Sequence, residues 1–273
     1  MFQGTAISVL AIAVICGGIC FPGFAAQESN LPPSADTAKQ ALESSPRHGE
    51  YANIPLPGSE TKMKTWVVYP ERAEKAPVVL VIHEIFGLSE WVQAIADALA
   101  KEGFIAVAPD LIAGIVGAEA NPREAIRKLT EEETIKRLNA ALDYGLALPA
   151  SNGKCASIGF CWGGATSFLY ATVQPKLNAA VVYYGTSPDT AALSKISAPV
   201  LGLYGQMDER VNSTIPAAEA EMKRLGKSYE KAVYDNAGHG FLRQQDGRED
   251  ANRKASEQAW PLTIEFLKKL TKP

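Results

Sequence analysis

The chain of 273 residues predicts an α/β fold, a mainly parallel sheet with helices on both faces, built as a single domain. Two observations carry that expectation. Short apolar runs alternate along the chain with segments of helical periodicity, the pattern of strand–helix units in a parallel sheet. The run 78–82, Val-Val-Leu-Val-Ile, is apolar at every position, as a strand covered on both faces requires.

The elements follow in order. Residues 63–69 and 78–82 read as strands. Ser89 caps a helix in which Val92, Ile95, Ala96 and Leu99 share one face, and Gly103 stops it. Residues 104–108 form a short apolar strand closed by Pro109-Asp110. Thr130 with Glu133 makes a capping box, opening a helix with Ile135, Leu138, Leu142 and Leu146 on one stripe that ends before Pro149. Strands follow at 154–158, 179–184, 200–204 and 229–234, with helices at 162–172, 213–225 and 251–270. There is no internal repeat.

The ends of the chain read differently. Composition is ordinary, with 47% hydrophobic residues, 21% charged and a net charge of -3, so no basic excess points to nucleic acid or an anionic membrane surface. The first charge is Glu28. The apolar run 6–20 before it is too short for a comfortable span and suits a signal-peptide core, with small residues around Gly23-Phe24-Ala25-Ala26 for cleavage. A signal peptide is therefore expected over 1–26, and the chain is expected to be exported, periplasmic or secreted. The n-region lacks Lys and Arg, so an uncleaved anchor stays open. Residues 27–47, rich in Ser, Pro and Ala, read as a linker or loosely held arm. The domain proper is placed at 48–273.

Signal removal leaves Cys155 and Cys161, too few for a disulfide framework. If both lie along one strand, six residues at ~3.3 Å each hold them roughly 20 Å apart, beyond the ~7 Å that a bridge allows. Cys155 is expected in a strand core and Cys161 as a free thiol.

Cys161 stands in Gly159-Phe160-Cys161-Trp162-Gly163-Gly164, between a strand-like run and a helix-like one. A sharp strand-to-helix turn needs small residues two before and two after its tip, and Gly159 and Gly163 supply them. Such a turn lifts the thiol toward the free N–H groups of the helix start, where a thiolate is favoured. A small buried cysteine in a glycine-rich turn is the alternative. In a parallel sheet the ligand crevice lies outside the carboxyl ends of the strands. The polar residues there are His83 and Glu84 after 78–82, Cys161 after 154–158, Asp208 after 200–204, and His239 in Gly238-His239-Gly240-Phe241 after 229–234. The order nucleophile, acid, histidine is that of a hydrolase triad. Asp235 competes with Asp208 for the acid role. Gly87 stands where H-E-x-x-H needs its second histidine, so no zinc site is indicated and His83 reads as structural.

The chain resembles the dienelactone hydrolase family of the α/β-hydrolase superfamily from about residue 48 to 270. The resemblance rests on Val81-Ile82-His83-Glu84-Ile85-Phe86-Gly87, Ala108-Pro109-Asp110-Leu111, the cysteine elbow, Asp208 and Gly238-His239-Gly240-Phe241. It implies an α/β-hydrolase fold and a Cys161, Asp208, His239 triad. It also implies a glutamate beside the nucleophile at Glu84 and an oxyanion hole from the backbone N–H groups of Ile85 and Trp162. Of the two arginines that hold the substrate carboxylate in the family, Arg243 matches one, whereas Gly114 stands where the other is expected, leaving the clamp incomplete.

The chemistry of the residues agrees. A free thiol has a pKa of about 8.5, and a histidine base raises its reactive fraction. Two aimed amides are worth several kcal/mol on the oxyanion. Because thiolate is itself a good leaving group, cysteine favours substrates whose other leaving group is also good. The expected activity is hydrolysis of a small lactone or activated ester through a thioester, by a monomer with no metal or organic cofactor, no nucleic-acid partner and no stable membrane contact after signal removal. A non-catalytic binding protein of the same fold, or an acyltransferase using the same triad, are the rivals.

Overall fold

The computed structural model describes residues 31–115 and 121–272, together with Met1. The signal segment expected over 1–26, Met1 apart, lies outside the described residues. In chain order come α1 (Ala38–Glu43), β1 (Gly49–Pro55), β2 (Lys62–Val68), β3 (Ala76–Ile82), α2 (Glu90–Lys101), β4 (Ile105–Pro109), α3 (Pro122–Lys128) and α4 (Glu131–Ala147). After these come β5 (Ser151–Phe160), α5 (Trp162–Val173), β6 (Ala179–Tyr183), a 3₁₀ turn (Thr190–Lys195), β7 (Val200–Gly205), α6 (Glu209–Asn212), α7 (Ile215–Arg224), β8 (Tyr229–Tyr234) and α8 (Ala251–Thr271).

The strands form one sheet in the order β1-β2-β4-β3-β5-β6-β7-β8. From β4 through β8 all neighbours are parallel, while β2 is antiparallel to both β4 and β1. The chain leaves β3 toward one edge to make β4 and returns on the other side as β5. Order therefore reverses between β3 and β5, where a crevice opens outside the carboxyl ends. Glu84 and Cys161 follow these two strands.

Alternation on β3 builds two cores. Val79 and Val81 pack with Ile95 and Leu99 of α2 and with Trp260 and Leu267 of α8. Val78, Leu80 and Ile82 pack with Leu138 and Leu142 of α4, Phe168 of α5 and Met222 of α7. Each fully buried aliphatic side chain of this kind stabilises the fold by about 1.5–3 kcal/mol. Cys155, on the second face, is a free buried thiol that donates to the Lys176 carbonyl at 3.2 Å, and burial pushes its pKa up to about 11.

The structure corrects one expectation and adds elements. Residues 31–47 are not a loose arm. The Trp91 indole N–H donates to Pro33 O at 3.0 Å, Gln245 Nε2 donates to Pro32 O at 2.9 Å, and the Ala35 N–H donates to Arg243 O at 2.9 Å. Arg47 then pairs through Nε and Nη2 with both oxygens of Asp97 on α2. These backbone carbonyls and one bidentate ion pair strap the segment across the domain, which composition does not reveal. Strand β1 was not expected because it is an edge strand with mostly half-buried or exposed positions, paired only to β2. The short α3 is fixed by its cap, with Asn121 accepting from the Arg123 N–H at 2.9 Å.

Candidate active site

Cys161 sits at the tip of the turn between β5 and α5 with φ 58° and ψ -115°. A non-glycine residue held there costs of order 1–3 kcal/mol, which the surroundings must impose. They do so through the two glycines. A Cβ on Gly159 would collide with the Gly163 carbonyl oxygen, and a Cβ on Gly163 with the carbonyl oxygens of Ile82 and His83 at the end of β3. The helix start is thus pressed against the β3 loop. Trp162 opens α5, so its N–H has no acceptor within the helix.

His83 fixes that loop. Fully buried, it contacts Glu84 O through Nδ1 at 2.7 Å and accepts from the Leu111 N–H at Nε2, 3.1 Å away. An amide donating to Nε2 leaves the proton on Nδ1, so the ring is neutral, and burial lowers its pKa accordingly. Trp162 stacks on it with centroids 5.5 Å apart. Both ring nitrogens are engaged by backbone, so His83 is structural, as its sequence context indicated. Among the described residues no group of three or more His, Cys, Asp or Glu side chains could hold a metal ion.

Asp208 and His239 meet because the loops after β7 and β8 are laced together. Gln206 N–H donates to Tyr234 O at 2.9 Å, and Met207 N–H donates to Ala237 O at 3.0 Å. His239 Nδ1 lies 2.5 Å from Oδ2 of the buried Asp208. Asp235, the sequence-level competitor, is exposed in the turn after β8 and is not the partner. Burial of the His239 ring works against its charge, but interactions with Asp208 and Cys161 outweigh that and push its pKa up to about 9. Cys161, Asp208 and His239 therefore converge as one group.

Glu84 is 3% exposed, and burial pushes its pKa up to about 7 against the opposing charges of Arg243 and His239. Arg243 Nε stands 3.0 Å from Glu84 Oε2. Its N–H is not aimed at that oxygen, so the contact is an ion pair rather than a hydrogen bond. The guanidinium also lies 4.8 Å from the ring centre of the half-exposed Phe86, over which Arg123 of α3 approaches to 5.6 Å. Arg123 escaped the sequence reading, since only its cap marks α3 and only the fold brings it to Phe86. Gly114 has φ 74°, so any side chain there would be strained.

Two cavities stand in contrast. One of about 460 Å³ borders Trp162 and is lined also by Ala165, Thr166 and Leu169 of α5 and by Thr186 and Pro188 after β6. A larger one of about 610 Å³ lies among Trp260, Ile264, Lys268 and Glu102, at the amino ends of the strands and away from Cys161. Cys161, rather than cavity size, identifies the site.

Known proteins bear on the fold and the family. Residues 63–271 match the dienelactone hydrolase family. A Yersinia pestis protein, proposed by its name to be a carboxymethylenebutenolidase, is 31% identical over 249 residues, covering 83% of this chain and 91% of its own. A Saccharolobus solfataricus protein of the same name is 30% identical, covering 77% and 95%. The crystal structure of a protein from Klebsiella pneumoniae, proposed by its title to be a dienelactone hydrolase, superposes with a TM-score of 0.71 at 25% identity, covering 81% of this chain and 98% of that one. With the eight-stranded sheet, the strand-end constellation and this match over most of its length, the chain belongs to the dienelactone hydrolase family of the α/β-hydrolase fold and is, by that membership, a carboxylic ester hydrolase.

Proposed function

We propose that Cys161 is the nucleophile of a hydrolase that opens a small lactone or activated ester through a thioester. The observation that carries the reading is the convergence, at the carboxyl ends of β5, β7 and β8, of a strained Cys161 with a His239 that Asp208 orients. In acylation His239 takes the thiol proton while Cys161 Sγ bonds to the carbonyl carbon, and Asp208 stabilises the resulting imidazolium. The N–H groups of Ile85 and Trp162 receive the oxyanion. Collapse breaks the bond to the leaving oxygen, which takes the proton from His239. Water, activated by the same ring, then cleaves the thioester.

Arg243, paired with Glu84, is placed to hold one anionic group of a substrate. A substrate anion bound to Arg243 draws the guanidinium away from Glu84 and raises that carboxylate's proton affinity, which makes it a second acceptor beside the thiol. With Gly114 in place of a second arginine, Arg243 holds one anionic group and dienelactone itself is not the preferred substrate. The protein is further proposed to act as an exported monomer, its signal segment removed.

Hydrolysis of a chromogenic acetate ester before and after thiol alkylation tests the nucleophile. Alkylation is expected to abolish turnover. Residual activity equal to the untreated protein sinks the assignment. A strong preference for dienelactone over neutral activated esters would overturn the substrate proposal alone.

A further inference from the structure

The Arg243 side chain does little to fix its own place. Its Nε makes no hydrogen bond, and its guanidinium lies against Glu84 and the ring of Phe86, contacts that tolerate a shift of position. The backbone must therefore hold it. Arg243 lies in the irregular stretch between β8 and α8, past the positive φ of Gly240 at 74°, where no strand ladder or helix supplies partners. Four consecutive carbonyls are engaged instead. Phe241 O accepts from Ser256 Oγ at 3.3 Å, Leu242 O from Gln245 Nε2 at 3.2 Å, Arg243 O from the Ala35 N–H at 2.9 Å and Gln244 O from Asn252 Nδ2 at 2.8 Å. The outer two are bound by α8. The inner two lead to the N-terminal strap, because the buried Gln245 amide also donates to Pro32 O at 2.9 Å.

The strap is anchored elsewhere as well. Trp91 of α2 holds Pro33 O, and Ser45 and Arg47 close on Asp97 of the same helix. Trp91 in turn packs edge-on against Phe160, the residue before Cys161, with ring centres 5.0 Å apart. Residues 32–35 thus bridge the helix that backs the cysteine turn and the stretch that carries Arg243. They precede residues 63–271 and so lie outside the part of the chain that matches the family. We propose that Gln245 is a positioning residue: with residues 32–35 it sets where Arg243 stands, and thereby how well the enzyme distinguishes esters that carry an anion from neutral ones. The inference rests on Arg243 holding one anionic group. A guanidinium binds a carboxylate through paired, directional N–H bonds, so displacing it weakens that contact. A neutral ester makes no use of the guanidinium, and the loss falls on binding of the anionic one.

Steady-state hydrolysis of two matched esters tests it. One is the nitrophenyl monoester of adipic acid, which bears a carboxylate, and the other is nitrophenyl hexanoate, with a methyl group in its place. Gln245→Met keeps the side-chain volume and removes the donor. At a temperature where the variant is fully folded, its kcat/KM should fall about fivefold more on the adipate ester than on the hexanoate, through KM. An equal loss on both esters, or no loss, makes Gln245 a brace of the fold and overturns the inference while leaving Arg243 its role. Arg243→Gln is the control: it should erase the discrimination, and adding Gln245→Met to it should move the ratio no further. If Arg243→Gln leaves the ratio unmoved, Arg243 is not the anion holder and the inference falls with that reading. Should Gln245→Met fail to fold, Trp91→Phe, which releases Pro33 O, takes its place with the same shift expected, and absence of the shift overturns the inference. If wild-type protein hydrolyses neither ester, the hydrolase reading fails and this one with it.

Discussion

The two ends of the sheet differ in kind. At the carboxyl ends the molecule concentrates features that cost stability: positive φ at Cys161 and Tyr184, the buried carboxylates Glu84 and Asp208, and an unpaired Tyr184 hydroxyl. At the amino ends lies a larger cavity, about 610 Å³, but its polar residues are ordinary surface groups such as Lys268, half-exposed and paired at 2.5 Å with Glu102. Among the described residues the strain is absent there and so is the buried charge. The contrast teaches that in this fold stored strain and desolvated charge, more than volume, mark where chemistry is done.

Substitutions can break or sharpen that contrast. The largest effect is expected at Asp208, which holds the His239 ring. Asp208→Asn should lower turnover by about 10³-fold or more with the fold intact, whereas the exposed Asp235→Asn should leave turnover unchanged. Steady-state kinetics of both variants decide whether the acid is the one the geometry pairs with His239. Equal losses would erase the distinction.

Glu84 is expected to show the cost directly. Its folded pKa of about 7 lies above that of an ordinary carboxyl. The protonated form therefore suits the fold, and its contribution is fully present below about pH 4 and is lost as pH rises through about 7. Glu84→Gln should accordingly gain about 1–3 kcal/mol over wild type at pH 8, with the gain vanishing near pH 4, while hydrolysis falls. Denaturant unfolding at the two pH values measures the difference. A variant less stable at pH 8 would mean that its ion pair with Arg243 outweighs the desolvation. At the other end of the sheet, Lys268→Ala should shift stability by no more than about 0.5 kcal/mol and leave hydrolysis unchanged. A loss of activity there would move the site.

Much of this was legible in the residues. The apolar run of β3, the small residues flanking Cys161 and the polar residue after each strand are local patterns. Parallel topology converts them into one site without any knowledge of distances. What stayed hidden depends on where remote segments land. Residues 31–47 look like a linker because they are held by the backbone carbonyls of Pro32 and Pro33, which any sequence offers. Tyr184 reads as one more apolar strand residue, since tyrosine carries no sign of a positive φ. The Arg123 approach to Phe86 likewise has no signature, because a seven-residue helix and a distant loop must both be in place. His83 was separable from a metal site only by the missing second histidine, and its two backbone hydrogen bonds now give the reason.

The central claim is that Cys161 forms a covalent acyl intermediate. Rapid quenching during turnover of an acetate ester, followed by mass spectrometry of peptides containing Cys155 or Cys161, tests it directly. An acetyl adduct confined to the Cys161 peptide and absent from Cys161→Ala is the predicted result. Full turnover by Cys161→Ala, or an acetyl group carried on another residue during productive turnover, would contradict the account.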